Sequence, residues 1–107
     1  MTTGRYAPSP SGRMHLGNLM CCLLAWLSAK SKGGQVLLRI EDLDAQRCPR
    51  RYADAIIDDL AWLGLAADGP EPPVYQSERS AVYAQYFEEL ARRGLVYPCL
   101  LYTSPSP

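Results

Sequence analysis

The sequence lacks three features that would assign it to a broad class: net charge, paired cysteines and a long apolar run. Eleven Lys and Arg balance eleven Asp and Glu, so overall charge gives no support for a nucleic-acid partner. Cys21, Cys22, Cys48 and Cys99 contain no Cys-x-x-Cys spacing and make a poor disulfide framework. The longest apolar run, 19–27, is about half of the roughly 20 residues that a membrane span needs, and no basic segment with an apolar one after it opens the chain. These absences predict a cytoplasmic protein with no membrane partner.

The fold class is indicated by alternating strand and helix patterns. With 107 residues, 48% of them hydrophobic, the chain has room for one small domain or one piece of a larger domain. Spacing and breakers predict strands over 4–7 and 36–40, a loop over 66–73, and helices from Leu16 to Gly33-Gly34, from near Pro49 to Gly64 and from about Glu78 to Arg93. This order favours a doubly wound parallel sheet with right-handed crossovers. Since two or three strands form only part of such a sheet, we expect the opening portion of a larger α/β domain.

The burial of each element is predicted from where its apolar residues fall. The helix that begins at Leu16 is apolar on every face, which is typical of a buried helix. The continuous β-prone run over 36–40 is typical of a strand covered on both faces. In the last helix an aromatic stripe, Tyr83, Tyr86 and Phe87, is more typical of a core than of a base-stacking platform.

Polar residues gather where the first two strands end. Ligands of open α/β sheets bind beyond the carboxyl ends of the strands. If the two strands are neighbours, their ends form one crevice that contains Arg5, Ser9, His15, Glu41, Asp42 and Asp44. Such a crevice offers a guanidinium for a carboxylate and carboxylates for an ammonium group, so it suits a zwitterion.

The loop between the first strand and the first helix has the features of a phosphate site. Pro8 and Pro10 fix its backbone, and Gly12 and Gly17 remove side chains that would block a ligand. The helix that follows offers unpaired N–H groups to an anion. Together they predict a site for a nucleotide phosphate.

Plainer interpretations of the same residues remain open. The lone His15 can cap the helix or bond to backbone. The three acidic residues after the second strand can be helix-capping acids, or can hold Mg²⁺ or Ca²⁺, although the loop lacks the spacing of a calcium site. A small basic cluster can touch phosphate or lie on a solvated surface: Arg47, Arg50 and Arg51.

Four segments in register resemble the glutamyl class I aminoacyl-tRNA synthetases. They are Arg5-Tyr6-Ala7-Pro8-Ser9-Pro10-Ser11-Gly12, His15-Leu16-Gly17-Asn18, Leu38-Arg39-Ile40-Glu41-Asp42-Leu43-Asp44 and Tyr75-Gln76-Ser77-Glu78-Arg79. The resemblance runs from the first strand to about Cys99. The second segment looks like the family's HIGH signature with Asn18 in place of the final histidine. The implied fold is α/β: the N-terminal part of a Rossmann-like, doubly wound parallel-sheet catalytic domain over 1–99.

The resemblance also implies substrates and roles. Glutamate's α-carboxylate would attack the α-phosphate of ATP, and the glutamyl group would then pass from the adenylate to a hydroxyl on tRNA. The positions that match the catalytic signature are His15, Gly17 and Asn18. Those that match the ATP site are Pro8, Ser9, Gly12, His15, Gly17 and Asn18. Those that match the glutamate site are Arg5, Tyr6, Ala7, Pro8, Ser9 and Glu41, with Glu41 accepting from the ammonium group. Asp44 and Arg47 match positions near the tRNA end. Magnesium would come with ATP, bridging its phosphates.

Two branches of the family are candidates for the tRNA partner. One charges tRNA(Glu), and a shorter one attaches glutamate to queuosine in tRNA(Asp). The stretches 8–12, 47–56 and 95–99 look more like the shorter branch, which we favour. We expect a monomer.

The resemblance ends near the last cysteine. Where the family commonly has a second cysteine that begins a zinc site, this chain has Leu101, and Cys99 alone cannot hold zinc. Zinc is therefore expected in the full-length enzyme only. Residues 100–107 have no family character, and we expect them to be non-native or disordered. We expect the 107 residues alone to be inactive, because the family's lysine-rich signature loop is absent from them.

Two other functions are compatible with the sequence. One is an inactive fragment that keeps a nucleotide-binding crevice. The other is a nucleotidyltransferase of related fold that shares the histidine signature, although such a protein would not be expected to pair Arg5 with Glu41.

Overall fold

The chain forms a three-stranded parallel sheet with helices on it. The computed structural model describes residues 1–70 and 72–99, so the expectation for 100–107 lies outside the described residues. The elements in chain order are β1 (Thr3–Tyr6), α1 (Leu16–Lys30), β2 (Gln35–Ile40), α2 (Arg50–Trp62), β3 (Val74–Tyr75), a 3₁₀ turn (Gln76–Glu78) and α3 (Ser80–Arg92). The predicted parallel α/β fold is confirmed.

The sheet has the strand order β1-β2-β3, with both pairs parallel. Gly4 pairs with Val36 and Ile40 pairs with Tyr75. The first two strands are neighbours, as the crevice prediction requires. The two-residue β3 is an addition to the prediction, which placed no element between the loop and the last helix. Val74-Tyr75 is a β-prone pair, but it is too short to produce a periodicity.

The main core lies on one face of the sheet. Residues of a strand alternate between its two faces, so Gly4 and Tyr6 share a face of β1, and Val36 and Ile40 share a face of β2. On this face Tyr6 and Val36 pack with Cys22 and Ala29 of α1 and with Ile56 and Leu60 of α2. Val36 and Ile40 are fully buried. This packing fixes α1 and α2 against the strands whose ends carry the candidate site.

Gly34 is required by the close approach of the chain just before β1. A Cβ on Gly34 would lie 2.0 Å from the carbonyl oxygen of Thr2, which no side chain tolerates. Gly33 has a φ of +67° and takes the left-handed conformation expected after a helix. The predicted glycine pair at the end of the first helix is therefore confirmed.

Three burial predictions are wrong for the described chain. The helix α1 buries only Cys22 and Ala29 and leaves a row of large side chains exposed: Leu16, Met20, Leu23, Leu24 and Leu27. α3 has no buried residue, and Tyr86 and Phe87 of its aromatic stripe are exposed. The strand β2 buries Val36 and Ile40, but Leu37, Leu38 and Arg39 are half-buried, so neither face is covered throughout. The outer faces of α1 and α3 have no packed neighbour among the described residues, whereas the second face of β2 is partly covered, since Arg39 contacts Tyr83 of α3.

No helix within the described residues is both long enough and apolar enough to span a bilayer.

Candidate active site

A cleft of about 590 Å³ opens where β1 ends, between the 7–15 loop and the first turns of α1. Its wall holds many of the predicted site residues: Arg5, Tyr6, Ala7, Pro8, Ser9, Gly12, His15 and Asn18. The sequence prediction missed other wall residues, among them Arg13, Met14, Cys21 and Cys22. The spacing Asn18, Cys21, Cys22, Ala25 could have indicated the last two, because it puts one helical stripe along the cleft.

His15 is the N-cap of α1. Its Nδ1 accepts hydrogen bonds from the backbone N–H groups of Gly17 (3.0 Å) and Asn18 (3.4 Å), and Asn18 Oδ1 accepts in return from the His15 N–H at 3.1 Å. This is a capping box in which histidine takes the place usually held by serine or threonine. With Nδ1 as acceptor, the neutral ring carries its proton on Nε2. His15 therefore keeps one donor nitrogen in the wall of the cleft while the other holds the helix.

The cap changes the predicted phosphate site. Gly17 and Asn18 donate to the imidazole, and Leu19 donates to the His15 carbonyl, so these N–H groups are not the unpaired donors that the sequence suggested. Gly17 also makes room for the imidazole. A Cβ at this position would lie 2.9 Å from Cε1 and 3.1 Å from Nδ1 of His15.

The remaining loop residues are exposed to the cleft or tied to the core. A Cβ on Gly12 would meet no atom within 4 Å, in keeping with a position on an open wall. Arg13 forms an ion pair of 2.6 Å with Asp59 of α2, and this hydrogen bond raises the pKa of the arginine. The backbone N–H of Glu41 donates to the carbonyl of Pro8 at 2.9 Å. The loop is thus fixed to both α2 and the end of β2.

Tyr6 and Arg5 are adjacent in β1 and differ in environment. Tyr6 is 3% exposed, and its hydroxyl donates to the carbonyl of Leu65 at 3.0 Å. Burial, with smaller contributions from Cys22 and Asp68, raises the pKa of Tyr6 to about 12. Arg5 is exposed on the cleft wall. Arg5 is therefore an exposed cation in the cleft wall, whereas the Tyr6 hydroxyl is engaged within the protein.

The acidic cluster after β2 does not line the cleft; each member has its own protein contact. Glu41 lies on the same strand face as Arg39, with 3.8 Å between Arg39 Nε and Glu41 Oε1. Asp42 is buried, and its carboxylate accepts from the N–H and the hydroxyl of Ser77 at 2.9 and 2.8 Å. Asp44 accepts from the backbone N–H of Arg47 at 3.2 Å. Of the residues predicted to share one crevice, the cleft wall therefore holds Arg5, Ser9 and His15, while Glu41 is tied to the cleft loop by its N–H bond to the Pro8 carbonyl.

The carboxylates that could hold a metal ion are engaged in protein contacts. No three His, Cys, Asp or Glu side chains in the described ranges are grouped so as to hold a metal ion. Asp42 faces two donors of Ser77, and Asp44 closes a local turn, so these carboxylates do not form a magnesium or calcium cage. Cys99 is exposed.

The basic cluster is partly engaged within the protein. Arg50 forms an ion pair of 2.8 Å with Glu78 and lies 3.7 Å from the ring centroid of Tyr75. The Glu78 hydrogen bond is the main cause of a raised Arg50 pKa. Arg51 stacks on Tyr52 at 4.8 Å, and Arg47 is exposed. All three arginines are exposed, and among the described residues Arg47 has neither an ion pair nor an aromatic contact.

Comparisons with known proteins agree with this architecture. The family description "tRNA synthetases class I (E and Q), catalytic domain" matches residues 1–104. A glutamyl-Q tRNA(Asp) synthetase of Nitratidesulfovibrio vulgaris is 50% identical over 105 residues, which cover 92% of this chain and 32% of that protein. Glutamate–tRNA ligase 2 of Erythrobacter litoralis is 53% identical over 98 residues, which cover 92% of this chain and 21% of that protein.

A solved structure gives the same result. The glutamate tRNA ligase of Elizabethkingia meningosepticum, crystallised with its amino acid, superposes with a TM-score of 0.76 and 40% identity, covering 84% of this chain and 19% of that one. The chain therefore spans about a third or less of the relatives that it matches. The predicted class I synthetase fold is confirmed, and the chain belongs to the family of class I tRNA synthetases for E and Q.

Proposed function

We propose that this chain provides the glutamate-binding and ATP-binding part of an enzyme that activates glutamate and transfers it to tRNA. The proposal rests on one observation: His15 and Arg5 both lie in the wall of one cleft. His15 Nε2 is a donor held in place by the cap on its other nitrogen, and Arg5 is an exposed guanidinium at the end of β1. One cleft thus combines a donor for phosphate with a cation for a carboxylate.

The proposed reaction is an acyl transfer in two steps. An oxygen of glutamate's α-carboxylate attacks the α-phosphorus of ATP, and pyrophosphate leaves. A hydroxyl of tRNA then attacks the acyl carbon of the adenylate, and AMP leaves. His15 donates to phosphate oxygen as negative charge develops, Arg5 pairs with a substrate carboxylate, and Glu41 accepts from the substrate ammonium. Positioning and charge stabilisation supply the rate in this scheme.

Magnesium belongs to the ATP in this proposal and not to the described residues. The carboxylates of the described chain form no cage for it, so the ion would be carried in by the phosphates that it bridges. Zinc, if the full-length protein binds it at Cys99, would need ligands beyond the described residues.

For the tRNA acceptor we propose queuosine of tRNA(Asp). The sequence segments 8–12, 47–56 and 95–99 support this choice, and so do several relatives that are named glutamyl-Q tRNA(Asp) synthetases. The alternative, charging of tRNA(Glu), is favoured by the 53% identical ligase of Erythrobacter litoralis. Asp44 and Arg47 are the proposed contacts to the tRNA end. We propose that the protein acts as a monomer in the cytoplasm, where ATP and tRNA are available and the four free cysteines stay reduced.

The test uses the full-length protein with ATP, labelled glutamate and separate pools of tRNA(Asp) and tRNA(Glu). We expect glutamate-dependent exchange between ATP and pyrophosphate, together with label on tRNA(Asp). Label on tRNA(Glu) alone would reject the queuosine acceptor. Absence of both exchange and label would reject the activity itself.

A further inference from the structure

We propose that Arg39 and Tyr83 are positioning residues that orient the carboxylate of Glu41 for the ammonium group of glutamate. This inference rests on the proposed function, because it concerns how its glutamate site is built. Its basis is a series of contacts among three side chains: Glu41 directly after β2, Arg39 within β2 and Tyr83 in α3.

The contacts among these three side chains have a specific geometry. Arg39 Nη2 donates to the hydroxyl oxygen of Tyr83 at 2.7 Å, while Arg39 Nε lies 3.8 Å from Glu41 Oε1. The guanidinium also lies 6.0 Å from the centroid of the Tyr83 ring. A guanidinium is planar and its donors keep fixed directions relative to one another, so the hydrogen bond from Nη2 to Tyr83 restricts the direction of the Nε–H towards Glu41.

The environment allows these contacts to act on Glu41. The side chains of Arg39 and Glu41 are 28% and 35% exposed, so both are partly shielded from solvent. A distance of 3.8 Å gives an electrostatic attraction and leaves the Glu41 oxygens available to a further donor. The arginine can therefore direct the carboxylate without occupying it, as a positioning residue should.

Tyr83 has this role because of where α3 lies. α3 buries none of its residues, yet Tyr83 is half-buried and reaches Arg39, 44 residues earlier in the chain. Tyr86, three residues further along the helix, is 64% exposed. Within the predicted aromatic stripe, Tyr83 is the residue that contacts the end of β2, next to Glu41. Tyr86 makes no such contact, so the two tyrosines form a matched pair for an experiment.

The test measures KM for glutamate, KM for ATP and kcat in the full-length protein. Tyr83→Phe keeps the ring and removes the hydroxyl that accepts from Arg39. We expect KM for glutamate to rise about fivefold, and KM for ATP and kcat to change less than about twofold. The reason is that losing the hydrogen bond from the charged Arg39 affects the substrate only through the orientation of Glu41. Arg39→Lys keeps the charge and loses the fork, and should give an increase of the same kind. Tyr86→Phe should change none of the three.

The outcomes separate this inference from the proposed function. Glu41→Gln should raise KM for glutamate more than Tyr83→Phe does. If Glu41→Gln leaves that KM unchanged, the proposed glutamate site is wrong and the inference falls with it. If Glu41→Gln raises it and Tyr83→Phe does not, only the inference is overturned. If Tyr83→Phe raised both KM values and lowered kcat by similar factors, the role of Tyr83 would be structural alone, and the inference would also be overturned.

Discussion

His15 combines two tasks at the scale of a single residue. Its Nδ1 caps α1, and its Nε2 remains a donor in the cleft wall. The two interpretations that the sequence left open, a helix cap and a phosphate ligand, are therefore compatible, because each uses a different ring nitrogen. Substitutions can separate them.

We expect His15→Asn and His15→Ala to differ from each other in stability, and both to lose activity. Asparagine is a good N-cap, so His15→Asn should keep the free energy of unfolding within about 0.5 kcal/mol, whereas alanine should lower it by about 1 kcal/mol. Both variants lack the Nε2 donor and should lose ATP–pyrophosphate exchange. Urea unfolding and the exchange assay measure the two effects. Full exchange activity in His15→Asn would mean that the imidazole serves only as a cap.

Gly17→Ala should reduce activity with little change in stability. Alanine favours the helix by up to about 1 kcal/mol over glycine, but the new Cβ would press on the imidazole at 2.9 Å and weaken the cap. The two effects on unfolding oppose each other, while the displacement of the ring has no compensation. Exchange activity and urea unfolding are measured beside Gly12→Ala, whose Cβ meets no protein atom within 4 Å. An unchanged exchange rate in Gly17→Ala would contradict this role of the glycine.

The raised pKa of Tyr6 predicts that the free energy of unfolding falls in alkali. Its pKa is about 12 in the folded protein and about 10 when unfolded, so its contribution is complete below pH 10 and is lost as the pH rises towards 12. Tyr6→Phe removes both the ionisation and the hydrogen bond to Leu65, and should lower stability at pH 7 by about 1 kcal/mol. Unfolding in urea at a series of pH values should show a smaller decline between pH 10 and 12 in the variant. Parallel declines in both proteins would assign the effect to other groups.

At the scale of elements, the order of strands and helices could be predicted from the sequence, but their lateral contacts could not. Helical spacing and glycine breakers are local signals, and they placed α1, α2 and α3 within a few residues. Arg13–Asp59, Asp42–Ser77 and Arg39–Tyr83 join residues 46, 35 and 44 positions apart. No periodicity encodes such pairs. For this reason the protein contacts of the acidic residues could be found only in three dimensions.

Asp68 lies in the loop after α2, joins α1 to β2 and should make the fold sensitive to acid. Its carboxylate accepts from Lys30 at the end of α1 and from the Val36 N–H in β2, and the Lys30 hydrogen bond is the main cause of a lowered Asp68 pKa. Its contribution is therefore present above about pH 4, the unfolded value, and is lost as the pH falls through the lower folded value.

We expect Asp68→Asn to be less stable than the parent chain at pH 7 and equally stable in strong acid, where the aspartate is protonated in both states. Unfolding midpoints in urea between pH 2 and pH 7 measure the difference. The control is Asp58→Asn, at an exposed position of α2. A constant difference at every pH would attribute the effect to packing and not to charge.

At the scale of the whole molecule, the described chain has more apolar surface than one sheet layer can cover. One face of α1 packs on the strands, whereas its opposite face exposes Leu16 by 84% and Leu24 by 58%. The sequence predicted this helix to be buried, because an all-round apolar pattern indicates two apolar neighbours. The described residues contain a neighbour for one face of the helix and none for the other.

This surface should make the 107-residue chain bind a hydrophobic dye while it stays folded. Met20 and Leu24 are 56% and 58% exposed, so replacing both with glutamine should lower the dye fluorescence and leave the helical circular dichroism unchanged. Ala29→Gln is the contrasting change, because Ala29 is 1% exposed between α1 and the strands, and a larger polar side chain there should unfold the chain and raise dye binding. If the double variant instead lost its helical signal, the outer face of α1 would have to make contacts that stabilise the chain.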